Sequence, residues 1–270
     1  MNLQSLPGRA AWRIAAVFSP GLSIAVVLMW LYGPFPQPQS YHDFADTRVL
    51  LGIPHAGDVL TNIGFLLVGA WGLWFLTRAQ LSGRSFVGRR EYRLFRWFFL
   101  GVFLTAFSSG WYHLEPDNYR LACDRLTMAV AFMSIFAVMI SERMNVSLGI
   151  NLLPLLILIG ITSVLYWIWT EHHNQGDLRW YVLVQFYPLI TMIAMLLLLP
   201  SLYTLGNYYW GMLLFYVAAK VTEALDHEIF NISSGLVSGH NLKHLFAAAG
   251  AAWVLRMLWL RQPCSNLHDR

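Results

Sequence analysis

His240 and His244 stand four residues apart in SGHNLKHL, at the head of a long apolar run. On a helix that spacing stacks them on one face, where both imidazoles can reach one metal ion. Two histidines do not complete a site. The stretch FSSGWYHLEPDNYRLACDRL, residues 107–126, offers more: Ser109 and His113 share a helix face, and Asp124 follows eleven residues after that histidine. Three histidines suit a catalytic zinc, which often takes three protein ligands and keeps a fourth position for water. Zinc lowers the pKa of that water to about 7 and polarises a carbonyl. Asp124 could take the water's proton and pass it to a leaving amine, and Ser109 could hydrogen-bond the developing oxyanion. Each residue alone has an ordinary reading: a helix-end histidine, a packing serine, an aspartate paired with Arg120 or Arg125. Their coincidence in one layer carries the hydrolase reading.

The elements that must bring them together are membrane helices. The 270 residues are 57% hydrophobic and only 12% charged, with mean hydropathy +0.51; a soluble domain carries about 25% charged residues. Apolar blocks near the roughly 20 residues of a spanning helix recur along the chain. Eight spans are predicted, near 13–32, 59–77, 94–113, 121–141, 150–169, 180–199, 208–225 and 241–260. The fold class expected is all-α, a polytopic membrane helical bundle. No small-residue cleavage site follows the first span, so a retained anchor is expected there rather than a signal peptide.

Charge placement orients the bundle. Arg78, Arg84, Arg89, Arg90, Arg93 and Arg96 face only Glu91 in one connection, which should lie in the cytoplasm. Eight spans then bring Arg9, Arg13, Arg143, Arg261 and Arg270 to that side, and both termini are expected to be cytoplasmic. The opposite side receives most of the acids and eight of the nine histidines, His268 being in the tail. The short turn LEPDNYR makes the third and fourth spans antiparallel neighbours. Their ends meet the start of the last span in this non-cytoplasmic layer.

Ser-x-x-x-His near the end of one span, Asp eleven residues later, and His-x-x-x-His opening the last span resemble the alkaline ceramidase family. That family belongs to a seven-helix membrane hydrolase superfamily that includes the adiponectin-type receptors. The resemblance covers roughly residues 41–260. It implies a seven-helix hydrolase core over 41–262, an added anchor helix and linker in 1–40, and a cytoplasmic tail in 263–270. It further implies a zinc-dependent amidase that cleaves the N-acyl bond of ceramide-like lipids to a fatty acid and a sphingoid base. Zinc would be held by His113, His240 and His244, with Ser109 and Asp124 assisting water attack.

The resemblance also raises calcium, in YHDFADTRVLLGIPHAGDVLTN, residues 41–62. Asp43 and Asp46 match two acidic ligands, Phe44 could offer a carbonyl, and Asn62 matches a later asparagine. Arg48 and His55 stand where oxygen ligands are expected, although calcium needs six to eight oxygens. A salt bridge from Arg48 to Asp43 or Asp46 is the alternative to the ion. In EALDHEIF, Glu223 and Asp226 either belong to a solvated loop or accept the outer N–H of a zinc-bound histidine. Lys220 and Lys243 are candidate partners for them.

Two other functions use the same residues. One is a receptor-like lipid-binding member with little turnover. The other is a haem protein, in which Ser109 and Asp124 would have no role. Cys123 and Cys264 do not make a disulfide framework. The basic run has topological meaning, so no nucleic-acid partner is expected; the bilayer and a lipid amide are. Oligomeric state leaves no signal in the sequence.

Overall fold

Each long apolar block forms a helix, because a chain in lipid must satisfy its backbone polar groups internally. In chain order the helices are α1 (Pro7–Leu31), α2 (Ala56–Thr61), α3 (Ile63–Ser82), α4 (Tyr92–Leu114) and α5 (Asn118–Arg143). They continue with α6 (Val146–His172), α7 (Arg179–Leu198), α8 (Tyr208–Ala224), α9 (Asp226–Ile232) and α10 (Gly239–Leu260). The structure, a computed structural model, describes residues 7–82, 86–88 and 90–264. Arg84, Arg89, His268 and Arg270 lie outside the described residues, as do the side chains of Arg9 and Arg13. Among the described residues there is no strand, only two isolated bridges.

Six segments are long and apolar enough to cross a membrane: Ile14–Leu31, Ala56–Ala79, Tyr92–Leu114, Asn118–Arg143, Val146–His172 and Arg179–Leu198. They make this a multi-pass membrane protein of the all-α class. The last two predicted spans are helices at the expected places but fall outside that set. α8 has 17 residues. α10 opens with His240, Asn241, Lys243 and His244, which lower its hydropathy.

The main packings are α3 on α4, α4 on α5, α5 on α6, and α8 on α10; α10 also contacts α3. α1 rests on α7. Lipid tails are as apolar as leucine, so helices in a bilayer associate through close packing at small residues. A Cβ at Gly69 would lie 2.6 Å from the Phe103 backbone, and one at Gly101 would lie 2.7 Å from the Ala131 nitrogen. Two of the strongest contacts therefore depend on a missing methyl group.

Polar groups gather at the helix ends. At the end away from the histidines, Arg261 is ion-paired with Glu142, which also accepts from the Tyr209 hydroxyl at 3.0 Å. Arg143 donates to the carbonyls of Leu199 and Gly206, each at 2.8 Å. Arg261, expected as a cytoplasmic topology signal, is thus buried at 2% exposure and stacked 4.0 Å from the Tyr203 ring.

Gly101→Val forces a branched side chain into the Ala131 backbone and should cost about 2 kcal/mol through overpacking. The melting temperature in detergent should fall by several degrees. Gly110→Val points into open space on the same helix. It should lower the melting temperature much less; equal losses would contradict the packing account.

A candidate metal centre at the head of an apolar cavity

The start of α10 carries two of the three histidines, and it is fixed on several sides. Ser238 Oγ accepts from Asn241 N at 3.0 Å, and Asn241 Oδ1 accepts from Ser238 N at 3.1 Å, a reciprocal capping box. Asn241 Nδ2 then donates to Asp58 Oδ1 at 2.6 Å, tying α10 to α2. Asp226 accepts from His240 N at 2.6 Å and from Ala45 N at 2.9 Å, tying α9 and the 41–46 segment to the same point. Two glycines permit close contact here, Gly239 with the Thr222 backbone and Gly57 with the Asp46 and Asn241 side chains. A Cβ at Gly239 would sit 2.1 Å from the Thr222 carbonyl, and one at Gly57 would sit 2.0 Å from Asp46 Oδ2.

His113 arrives from the last turn of α4. His113, His240 and His244 are 1%, 3% and 3% exposed, and ligand atoms from all three lie within 4.8 Å of one another. Among the described residues they are the one group of this kind. Their ring centroids are 4.8 to 5.0 Å apart. Phe44 covers the group, its ring 4.6 Å from His113 and 4.5 Å from His240.

The hydrogen bonds of His113 and His244 leave lone pairs available. His113 Nδ1 is buried without a partner among the described residues. His244 Nδ1 is 2.9 Å from Thr61 Oγ1. A hydroxyl has one proton to give, and Thr61 is 2.8 Å from the Gly57 carbonyl. With the hydroxyl proton donated to the Gly57 carbonyl, Thr61 accepts the Nδ1–H of His244 and leaves the lone pair of Nε2 free. Three buried neutral imidazoles presented together suit an imidazole-preferring metal ion. The donor set fits.

His244 also faces a cavity of about 270 Å³ between α4, α5, α7, α8 and α10. Ser109, Asp124, Arg125, Glu223 and Lys243 share its polar end. Asp124 Oδ1 is buried and has no hydrogen-bond partner among the described residues. Deeper in, the wall is Phe98, Val102, Phe132 and the methionines Met192 and Met212, with Met128 one turn along α5 from Asp124. From Ser109 to Phe98 the wall follows α4 for about 16 Å at 1.5 Å per residue.

Glu223 and Asp226 reach the centre by other routes than an imidazole N–H. Asp226 holds the backbone of His240, as described. Glu223 pairs with Lys220 and, at 2.5 Å, with Lys243, and accepts from the Tyr41 hydroxyl at 3.2 Å. Lys243 Nζ in turn lies 3.4 Å from His240 Nε2. The acceptor serving His244 is a threonine hydroxyl; nothing in the sequence distinguishes Thr61 from any other helical threonine. Phe44 likewise gave no signal as a cover for the histidines.

The segment considered for calcium does not fit that ion. Asp43 is exposed, and its carbonyl accepts from His227 at 3.1 Å. Asp46 is fully buried, and Arg48 engages both its oxygens, Nε to Oδ1 and Nη2 to Oδ2, each at 2.7 Å. Arg48 also donates to the carbonyls of Gly235 and Leu236. Of the two alternatives, the geometry is that of the salt bridge, made to Asp46 and not to Asp43. The reason is steric as well as electrostatic: the guanidinium fork occupies the space an ion would need.

Burial by itself would raise the Asp46 carboxyl pKa. The hydrogen bonds and charge of Arg48, with the Gly57 N–H, outweigh it and hold the carboxyl below its usual range. A depressed carboxyl contributes stability above the unfolded value, and that contribution is lost as pH falls through the folded value. Arg48→Gln should therefore lower stability by about 2 kcal/mol at neutral pH, and its gap to wild type in a melting-temperature profile should narrow as pH falls and Asp46 takes up a proton. Adding millimolar calcium should leave the wild-type melting temperature unchanged; a clear rise would show that the ion binds after all.

No known family model matches the chain, and no curated protein matches it.

Proposed function

We propose that this protein is an integral-membrane, zinc-dependent amidase acting on lipid amides in the manner of a ceramidase. In this reading α3 to α8 and α10 form a seven-helix core, with α1 added on the outside. Both termini lie in the cytoplasm, and the site sits beneath the opposite face. The observation that carries it is the buried triad of His113, His240 and His244, within 4.8 Å, at the polar head of an apolar cavity. A water-soluble substrate would not need such walls; a fatty acyl chain does.

His113, His240 and His244 would hold the ion, with Thr61 fixing the tautomer of His244. Zinc there supplies a water of lowered pKa and a Lewis acid for the scissile carbonyl. Ser109 donates a hydrogen bond to the carbonyl oxygen as negative charge builds on it. Asp124 takes a proton from the attacking water and returns it to the amide nitrogen, so that the C–N bond breaks and the amine leaves neutral. The unpartnered Oδ1 of Asp124 is free for both transfers. The apolar wall keeps bulk water from the acyl chain and aligns the amide with these groups.

Metal analysis of the purified protein should find about one zinc per chain, as a single His₃ site would hold. His244→Ala should lose both metal and lipid-amide hydrolysis. Asp124→Asn should keep the metal and lose about 10²- to 10⁴-fold in turnover. Hydrolysis that persists in metal-free protein would end this reading. Thr61→Val should weaken zinc binding by about 10- to 100-fold, measured by competition with a chelating dye.

A further inference from the structure

Arg125 is a buried cation in the wall of this cavity. It is 6% exposed, and no carboxylate among the described residues lies within ion-pair distance of it. Its Nη2 donates to Gln37 Oε1 at 2.7 Å, while Nη1 is buried with no acceptor. The rings of Trp167, Tyr181 and Tyr41 surround the guanidinium at 4.3, 4.7 and 5.5 Å. Aromatic faces attract a cation, but they do not supply an in-plane acceptor for the free N–H. A buried charge without a partner is strongly unfavourable, so a ligand that completes it gains what the fold leaves unsatisfied.

The charge balance of the cavity points the same way. Arg125, Lys220 and Lys243 line it against Asp124 and Glu223. Both lysines are bonded to Glu223. One positive charge is left over, and a metal held by neutral imidazoles adds to it. Asp124 and Arg125 are successive residues of α5, and both line the cavity.

We infer that Arg125 receives the carboxylate of a singly charged lipid amide, and that the preferred substrate class is the N-acyl amino acid. In such a lipid the amide and the carboxylate are held on one headgroup, and Asp124 and Arg125 line the one cavity that would receive both. The inference rests on the amidase reading and narrows it. Water adds to the acyl carbon, the C–N bond breaks, and the nitrogen gains a proton; the products are a fatty acid and a free amino acid. Arg125 acts as a binding residue throughout.

The test uses the full-length protein in detergent and a ligand it cannot cleave. The probe is the ketomethylene isostere of N-palmitoylglycine, with CH₂ in place of N–H, compared with its methyl ester by calorimetry. The acid should bind at least about tenfold more tightly than the ester, the worth of one charge-assisted hydrogen bond. That preference should vanish in Arg125→Gln and persist in part in Arg125→Lys. Equal affinity for acid and ester in the wild type overturns the inference whether or not the variants fold, as does a preference that survives in a folded Arg125→Gln. Tighter binding of N-palmitoylethanolamine phosphate than of the acid overturns the carboxylate assignment. The two readings fail separately. Hydrolysis of neutral ceramide without acid preference removes this inference and leaves the amidase. Acid preference without hydrolysis of any lipid amide leaves the anion site and removes the amidase.

Discussion

The buried start of α10 is the point on which the centre depends. The first N–H groups of a helix have no partner within it, and here water does not reach them. Asp226 and Ser238 accept from two of them, and those same bonds set the height and rotation of His240 and His244. Satisfying the backbone and aiming the imidazoles are therefore one act. Asp58 extends the hold to α2, whose Thr61 serves His244 from the other side. The close approach at Gly239 seats α10 against the end of α8, and that at Gly57 seats the Asp46 and Asn241 side chains against α2.

Charge elsewhere is confined to two layers. At the histidine end, Lys220, Lys243 and Glu223 bond to one another beside the centre. At the far end, Glu142, Arg261 and the tyrosines Tyr203 and Tyr209 close the bundle. Between the layers the interior is apolar, with glycines at the tightest crossings. In so low a dielectric an unmatched charge is costly, which is why the isolated guanidinium of Arg125 stands out against the paired ones of Arg48, Arg179 and Arg261.

The sequence revealed the histidines because helix periodicity and the short LEPDNYR turn leave few ways to arrange them. It located Ser109 and Asp124 in the same layer for the same reason, and both line the cavity. It could not assign partners. Asp124 and Arg125 are adjacent in the chain, yet successive helical residues point roughly 100° apart, and Arg125 turns to Gln37 across the bundle. Arg120, the other partner considered for Asp124, pairs with Glu115 and Asp117. Glu223 and Asp226 were visible as acids near the centre, but which groups they accept from depends on α8, α9 and α10 meeting, a long-range fact. Asp43 and Asp46 have ligand-like spacing, and spacing cannot tell that one side chain faces out and the other is sealed under an arginine. α8 is short at 17 residues, and the hydropathy of α10 is lowered by the polar residues that open it, so the helix that carries two of the three histidines was among the least obvious membrane spans.

The methionines of the cavity wall have a consequence of their own. Met192 and Met212 lie away from the polar head, on α7 and α8. Unbranched thioethers rotate easily and fill irregular gaps, unlike branched or aromatic side chains. The chamber is thus stiff where backbones and capping bonds define it and compliant at its floor. Substitutions at those two residues can reshape the floor without disturbing the head, so the two ends are free to diverge independently under selection.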